Sequence, residues 1–135
     1  MSTVFTKILT GVWPGHFVYR DEMCAAFLSI NPIRPGHTLV VPVAEVSHWV
    51  DLNPEVNAHL MRVAQRVGQA QMSVFSPERI GMIIAGFEVP HTHLHVVPVS
   101  DESQLSFAHA AREVDPTELA NIAVRLAQAL PPEAI

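Results

Sequence analysis

His91-Thr92-His93-Leu94-His95-Val96-Val97-Pro98 sets three imidazoles at strict two-residue spacing and follows them with an apolar run. On an extended strand, residues i, i+2 and i+4 point to one side. The spacing therefore predicts a strand over 91–99 with three rings on one face and Thr92, Leu94 and Val96 on the other. Histidine, with an ordinary pKa of about 6.5, can serve as nucleophile, acid, base or metal ligand near neutrality. Three such rings on one face are costly as packing and useful as chemistry.

Outward from this stretch, the pattern alternates between strand and helix. Residues 80–85 form an apolar run short enough for a central strand. Before it, Asn53 and Pro54 give a capping side chain and a proline at the first helical position. Val56, Leu60, Val63, Val67 and Val74 then share a helical face, which predicts a long helix ending near Phe75 at Ser76-Pro77. Thr38-Leu39-Val40-Val41 is a β-branched run that stops at Pro42. Residues 17–21 and 24–30 read as strands joined by a turn around Asp21-Glu22, and 3–9 as a short helix ending at Gly11. Downstream, Asp115-Pro116-Thr117-Glu118 resembles a capping box. Leu119, Ile122, Leu126 and Leu130 continue a last helix, ended by Pro131-Pro132. This order is α+β: a mostly antiparallel sheet of about five strands, one long central helix and a C-terminal helix.

The chain has 135 residues, 49% of them hydrophobic, which suits a single domain over 1–135. Thirteen acidic against 8 basic residues give a net charge of −5, unlike a surface that wraps nucleic acid. A small nucleotide held in a pocket is compatible with that charge. Cys24 is the one cysteine, so neither an internal disulfide nor a cysteine-rich zinc site is expected. The first residues lack the pattern of a signal peptide, and no run approaches the ~20 apolar residues of a membrane span. A cytoplasmic protein without membrane attachment is the expectation.

The triple histidine itself admits three readings. It could bind a transition metal, with three ligands and an open position for water, although neither Glu88 nor Asp101 is obviously placed to orient the rings. It could attack phosphorus through its middle ring, giving a phosphoramidate that water later cleaves, with neighbouring rings fixing the tautomer and balancing charge. Or the rings could be buried and hydrogen-bonded without a task.

Two segments together resemble the histidine triad (HIT) family. His91-Thr92-His93-Leu94-His95-Val96-Val97 fits its His-x-His-x-His signature. Ile30-Asn31-Pro32-Ile33-Arg34-Pro35-Gly36-His37-Thr38-Leu39-Val40-Val41-Pro42 is similar to its Asn-Pro…Pro-Gly-His-Thr-Leu-Val-x-Pro segment. The resemblance covers roughly residues 5–98, with 99–135 a tail that varies in the family. It implies a HIT-like fold and a nucleotide hydrolase or nucleotidyl transferase acting on an α-phosphate, with no cofactor required. His93 would be the nucleophile, and His95 would contact the phosphoryl and leaving-group oxygens. His91 and His37 would form a supporting imidazole pair, with the His91 backbone orienting His93. Asn31 would meet the ribose, and Phe27 and Ile30, with Leu28 nearby, would wall the base, which suits a purine.

The chain departs from the family where members often carry Ala-Gly-Gln-Ser/Thr-Val before the triad. Here Ala85-Gly86-Phe87-Glu88-Val89 offers no amide donor, and an ionised Glu88 near phosphate would repel it. Glu88 is therefore a candidate binding residue that bears on the leaving group. Some members hold structural zinc through two N-terminal cysteines; Phe5-Thr6-Lys7-Ile8 does not supply them, so no metal is expected. A homodimer is implied, with the apolar face of the 54–75 helix a candidate contact. Rival readings are a nucleotide-binding module with little turnover and a histidine-ligated metal hydrolase. His48, His59 and His109 read as isolated, Arg34 as a solvated loop charge, and Trp13 as a structural aromatic that could instead approach the nucleotide from the N-terminal segment.

Overall fold

The computed structural model describes residues 2–133. Its elements are α1 (Val4–Leu9), β1 (Phe17–Arg20), β2 (Cys24–Leu28), β3 (Thr38–Pro42), α2 (Pro54–Phe75), β4 (Arg79–Ile83), β5 (Leu94–Val99) and α3 (Pro116–Ala129), with short 3-10 turns between. The five strands form one sheet in the order β1-β2-β3-β5-β4, and all four pairings are antiparallel. The fold is α+β, as the periodicity predicts.

Strand alternation sorts the core into two faces. Ala26, Leu28, Val40, Leu94 and Val96 pack on the helix side against Leu60, Val63 and Val67 of α2 and Leu119, Ile122 and Leu126 of α3. Ala25, Phe27, Leu39 and Val41 turn to the opposite face, where α1 covers them with Phe5 and Leu9. Strands covered on both faces read as continuous apolar runs, which is why β2, β3 and β5 are buried at every position. The apolar stripe of α2 is thereby used inside the chain, so it is not the free dimer contact that the sequence suggested.

The helix signals act as read. Asn53 accepts the Glu55 N–H at 2.8 Å, and Asp115 accepts that of Thr117 at 2.8 Å. Ser76 ends α2 in the left-handed region and returns its N–H to Met72. The β1–β2 turn is held by Asp21, whose carboxylate takes the N–H groups of Met23 and Cys24, the Tyr19 hydroxyl at 2.7 Å and His59 Nε2 of α2 at 2.6 Å. His59 is thus a tie between helix and hairpin.

Strand boundaries differ from expectation: β1 and β2 stop at Arg20 and Leu28, short of 21 and 30. β4 covers Arg79–Ile83, not 80–85. β5 begins at Leu94, because its partner β3 ends at Pro42 and the β3–β5 ladder stops at Val40–Leu94. Residues 91–93 bond outside the ladder: the Thr92 N–H reaches the Val46 carbonyl at 2.7 Å and that of His91 reaches Val89 at 2.8 Å. Only His95 of the three sits in the sheet proper.

Candidate active site

Gly36 turns the chain into β3 with φ of +90°, and a Cβ there would meet the Phe75 ring at 2.3 Å. Its carbonyl and that of Val96 both accept from the amide of Gln71, at 2.9 Å each. This buried α2 side chain therefore fastens the segment carrying His37 to the strand carrying His95. Sequence reading missed it, since a glutamine on an apolar stripe gives no sign of its target.

The four histidines are all buried, and their tautomers follow from their partners. The Ile33 N–H, which can only donate, reaches His37 Nδ1 at 3.0 Å. A neutral His37 therefore carries its hydrogen on Nε2, which donates to His95 Nδ1 at 2.9 Å. His95 in turn keeps its hydrogen on Nε2. On the other branch, His93 Nδ1 donates to the His91 carbonyl at 2.7 Å, which leaves the Nε2 lone pair of His93 unpaired with protein. His91 donates from Nε2 to the Pro42 carbonyl and accepts the Thr3 hydroxyl at Nδ1, both at 2.7 Å.

The expected pairing of His37 with His91 does not form. His37 bonds His95 because Leu39 pairs with His95 across β3 and β5, whereas His91 lies at the far end of β3 beside Pro42. The His91 backbone meets His93 as anticipated. Both nitrogens of His91 and both of His37 are occupied by hydrogen bonds, and Thr3, not a cysteine, reaches His91 Nδ1. Neither of these two rings presents a free lone pair in this arrangement.

Burial holds these rings neutral. It pulls His37 down to about 4, assisted by the charge of His93. It pulls His95 to about 3, with His37 and His93 adding repulsion. His91 and His93 are also lowered by burial, against the hydrogen bonds to Pro42 and His91 respectively, and Glu88 pulls His93 back upward.

His93 and His95 open into a cavity of about 620 Å³, a size suited to a small-molecule ligand. Phe27, Ile30, Asn31 and Glu88 also line it, as does Leu28, although the Leu28 side chain belongs to the helix-side core. Ile30 is 66% exposed and offers the open apolar wall. Asn31 gives both amide hydrogens to the Ala111 and Arg112 carbonyls, at 3.1 and 3.0 Å, leaving its oxygen as the acceptor. His91 stands behind His93, outside the lining.

Several lining residues lay beyond the motif. Phe5 presents its ring to His93 at 4.8 Å between centroids, and Trp13 joins the wall with Lys7 over its ring. Phe107 and Arg112 come from the 99–135 tail. The stretch of that tail before α3 has no periodicity and gives no signal for this, and the Asn31 bonds that dock it join residues 80 and 81 apart in sequence. Another hollow, lined by residues such as Arg79 and Asp101 at the β4 edge, contains none of the histidines.

A sequence model of the HIT domain matches residues 10–102. The chain belongs to the histidine triad (HIT) family. An uncharacterized HIT-like protein of Borreliella burgdorferi is 34% identical over 102 residues, covering 70% of this chain and 73% of that one. The asymmetrical bis(5'-nucleosyl)-tetraphosphatase of Schizosaccharomyces pombe is 34% identical over 77% of this chain, which spans 61% of the enzyme's length. The crystal structure of a Zn-bound histidine triad family protein from Mycobacterium smegmatis, 31% identical, superposes with a TM-score of 0.79 over 96% of this chain and 93% of its own. Among the described residues of this HIT protein, no helix is long and apolar enough to cross a membrane.

Proposed function

We propose that this HIT protein is a nucleotide hydrolase or nucleotidyl transferase that attacks the α-phosphate of a nucleotide, a purine nucleotide by preference, through His93. The observation that carries the reading is the unpaired Nε2 of His93 at the wall of a nucleotide-sized cavity, with its Nδ1 hydrogen fixed on the His91 carbonyl. A neutral imidazole so oriented is a nucleophile that needs no separate base. Attack forms a His93–phosphorus bond, and the bond from phosphorus to the leaving atom breaks with its electron pair. His95 Nε2–H faces that atom as hydrogen-bond donor. Water then cleaves the nucleotidyl-histidine to release a nucleoside monophosphate. Phe27 and Ile30 would flank the base, and the Asn31 oxygen would accept a ribose hydroxyl.

The same reading makes the chemistry independent of a metal, because both nitrogens of His37 and of His91 are engaged in hydrogen bonds and the free lone pair of His93 is kept for phosphorus. It includes a homodimer, whose contact would use a surface other than the buried stripe of α2; the outer edge of β4 is unpaired. The test is nucleoside monophosphate release from a nucleoside phosphoramidate and a dinucleoside polyphosphate by wild type and His93→Ala in the presence of a chelator. The wild type turns over and the variant does not. Chelator-sensitive turnover that survives the substitution would remove His93 from the mechanism.

A further inference from the structure

A second, smaller cavity meets the nucleotide pocket at four residues. Glu88, His93, His95 and Phe107 line both, and Ala85, Gly86 and Phe87 close the smaller one. Its volume is about 120 Å³. At ~30 Å³ per water in the liquid, that holds a group of roughly four to six heavy atoms. A second nucleotide, which needs a cavity of several hundred Å³, would not be enclosed there.

The lining is one-sided in chemistry. Phe107 packs its ring edge-on to His95, with centroids 4.9 Å apart and planes at 72°. Phe87 stands 95% exposed beside it. Neither lysine nor arginine lines the cavity, and the one ionic group is the Glu88 carboxylate. A leaving group bearing several negative charges would meet that carboxylate with no cation to offset it. A leaving nitrogen, by contrast, has a donor at hand in His95 Nε2–H.

We infer that this cavity is the leaving-group site, and that Phe107 and Glu88 select a short amine, apolar along its chain and cationic at its tip. The inference rests on the proposed hydrolase reading and narrows it to nucleoside phosphoramidates of such amines. In the step, the His93–phosphorus bond forms and the phosphorus–nitrogen bond breaks. The electron pair stays on the leaving nitrogen, which takes one proton from the water consumed in the next step, while neutral His95 keeps its Nε2–H hydrogen-bonded to that nitrogen. Hydrolysis of the nucleotidyl-histidine consumes one water and returns free His93. Phe107 lies outside residues 10–102, the span that the HIT domain model matches. The apolar part of the selectivity therefore comes from this chain's tail, and the charge part from Glu88 inside the matched segment.

The experiment compares adenosine 5'-phosphoramidates of 1,3-diaminopropane, propylamine and β-alanine with the unsubstituted phosphoramidate and a dinucleoside tetraphosphate. The readout is kcat/KM for adenosine monophosphate release. Wild type should prefer the diaminopropane over the β-alanine substrate by about five- to tenfold, the size of two exposed charge interactions of opposite sign. Glu88→Gln should compress that ratio toward one. Phe107→Ala should lower the propylamine rate relative to the unsubstituted substrate, a ratio that a general loss at His95 leaves unchanged. A ratio unaffected by Glu88→Gln, or a tetraphosphate that outruns every amidate, overturns the inference while leaving the hydrolase reading intact. No monophosphate release from any of the five substrates overturns both.

Discussion

His37 Nε2 and His95 Nδ1 lie 2.9 Å apart, and a backbone amide decides which of them owns the hydrogen. The Ile33 N–H occupies His37 Nδ1, so the hydrogen must point from His37 to His95, and His95 must present its own hydrogen outward. A donor at the cavity wall is thus built from the Pro32-Ile33 loop through two rings. His93, held the opposite way round by the His91 carbonyl, presents a lone pair. Two identical side chains, two residues apart, thereby offer a lone pair and a hydrogen to the same cavity.

Removing either ring of the donor branch should slow the chemical step. His95→Ala is expected to lower kcat by about 100-fold or more, the range of a lost hydrogen-bond donor to developing charge. His37→Ala acts only through the orientation of His95 and should cost less, with KM little changed. Steady-state rates on one nucleoside phosphoramidate check the order. A His37→Ala loss that exceeds that of His95→Ala would show that His37 acts on substrate directly.

Activity should persist into acid further than an ordinary histidine allows. The attacking form of His93 is neutral, and burial lowers its pKa below 6.5, so the acid limb of kcat/KM falls below that pH. Glu88 favours the protonated ring. Glu88→Gln should therefore move the limb further down. A limb at or above 6.5 in the wild type, or an upward shift in the variant, contradicts this assignment.

Gly36→Ala should destabilise the fold by at least about 1 kcal/mol from the left-handed backbone alone, with the approach to Phe75 adding to it. Because Gly36 precedes His37 and its carbonyl holds Gln71, turnover should fall with stability. Urea midpoints and rates on the same preparation check both. An unchanged midpoint would mean that the turn relaxes freely.

The Asp21 knot predicts a separate acid dependence. Burial works against its ionisation, but the hydrogen bonds from Tyr19, His59, Cys24 and Met23 outweigh it and hold the carboxyl at about 2, below its ordinary 3.8. The unfolded chain therefore binds the proton first as pH falls. The stability that this group contributes is complete above about pH 4 and is lost as pH falls through 2. Asp21→Asn should remove that part of the pH dependence. Parallel denaturation profiles for wild type and variant in this window would rule it out.

Much of this arrangement was legible in the sequence, and the exceptions have physical causes. Asn53-Pro54 and Asp115-Pro116 announce their helices because capping is local. The turn at Asp21-Glu22 and the β-branched run stopped by Pro42 announce β2 and β3 because turn chemistry and strand propensity are local. The partner of His37 depends on the register of β3 against β5, which no local pattern states, and the ring found is His95, not His91. The ladder ends at Leu94 because Pro42 ends the neighbouring strand, a constraint from more than 50 residues away in sequence. Phe5, Trp13 and Phe107 reach the pocket from segments whose role is set by docking, and docking by Asn31 and Thr3 is likewise non-local.

The central claim is that His93 becomes covalently nucleotidylated. Wild-type protein mixed with an adenosine phosphoramidate, quenched within the first turnover and digested, should yield a peptide containing His93 with one added adenosine monophosphoryl group on its imidazole. The adduct should be absent from His93→Ala. Turnover at the wild-type rate without any adduct at His93, or an adduct on His95 instead, would contradict the account.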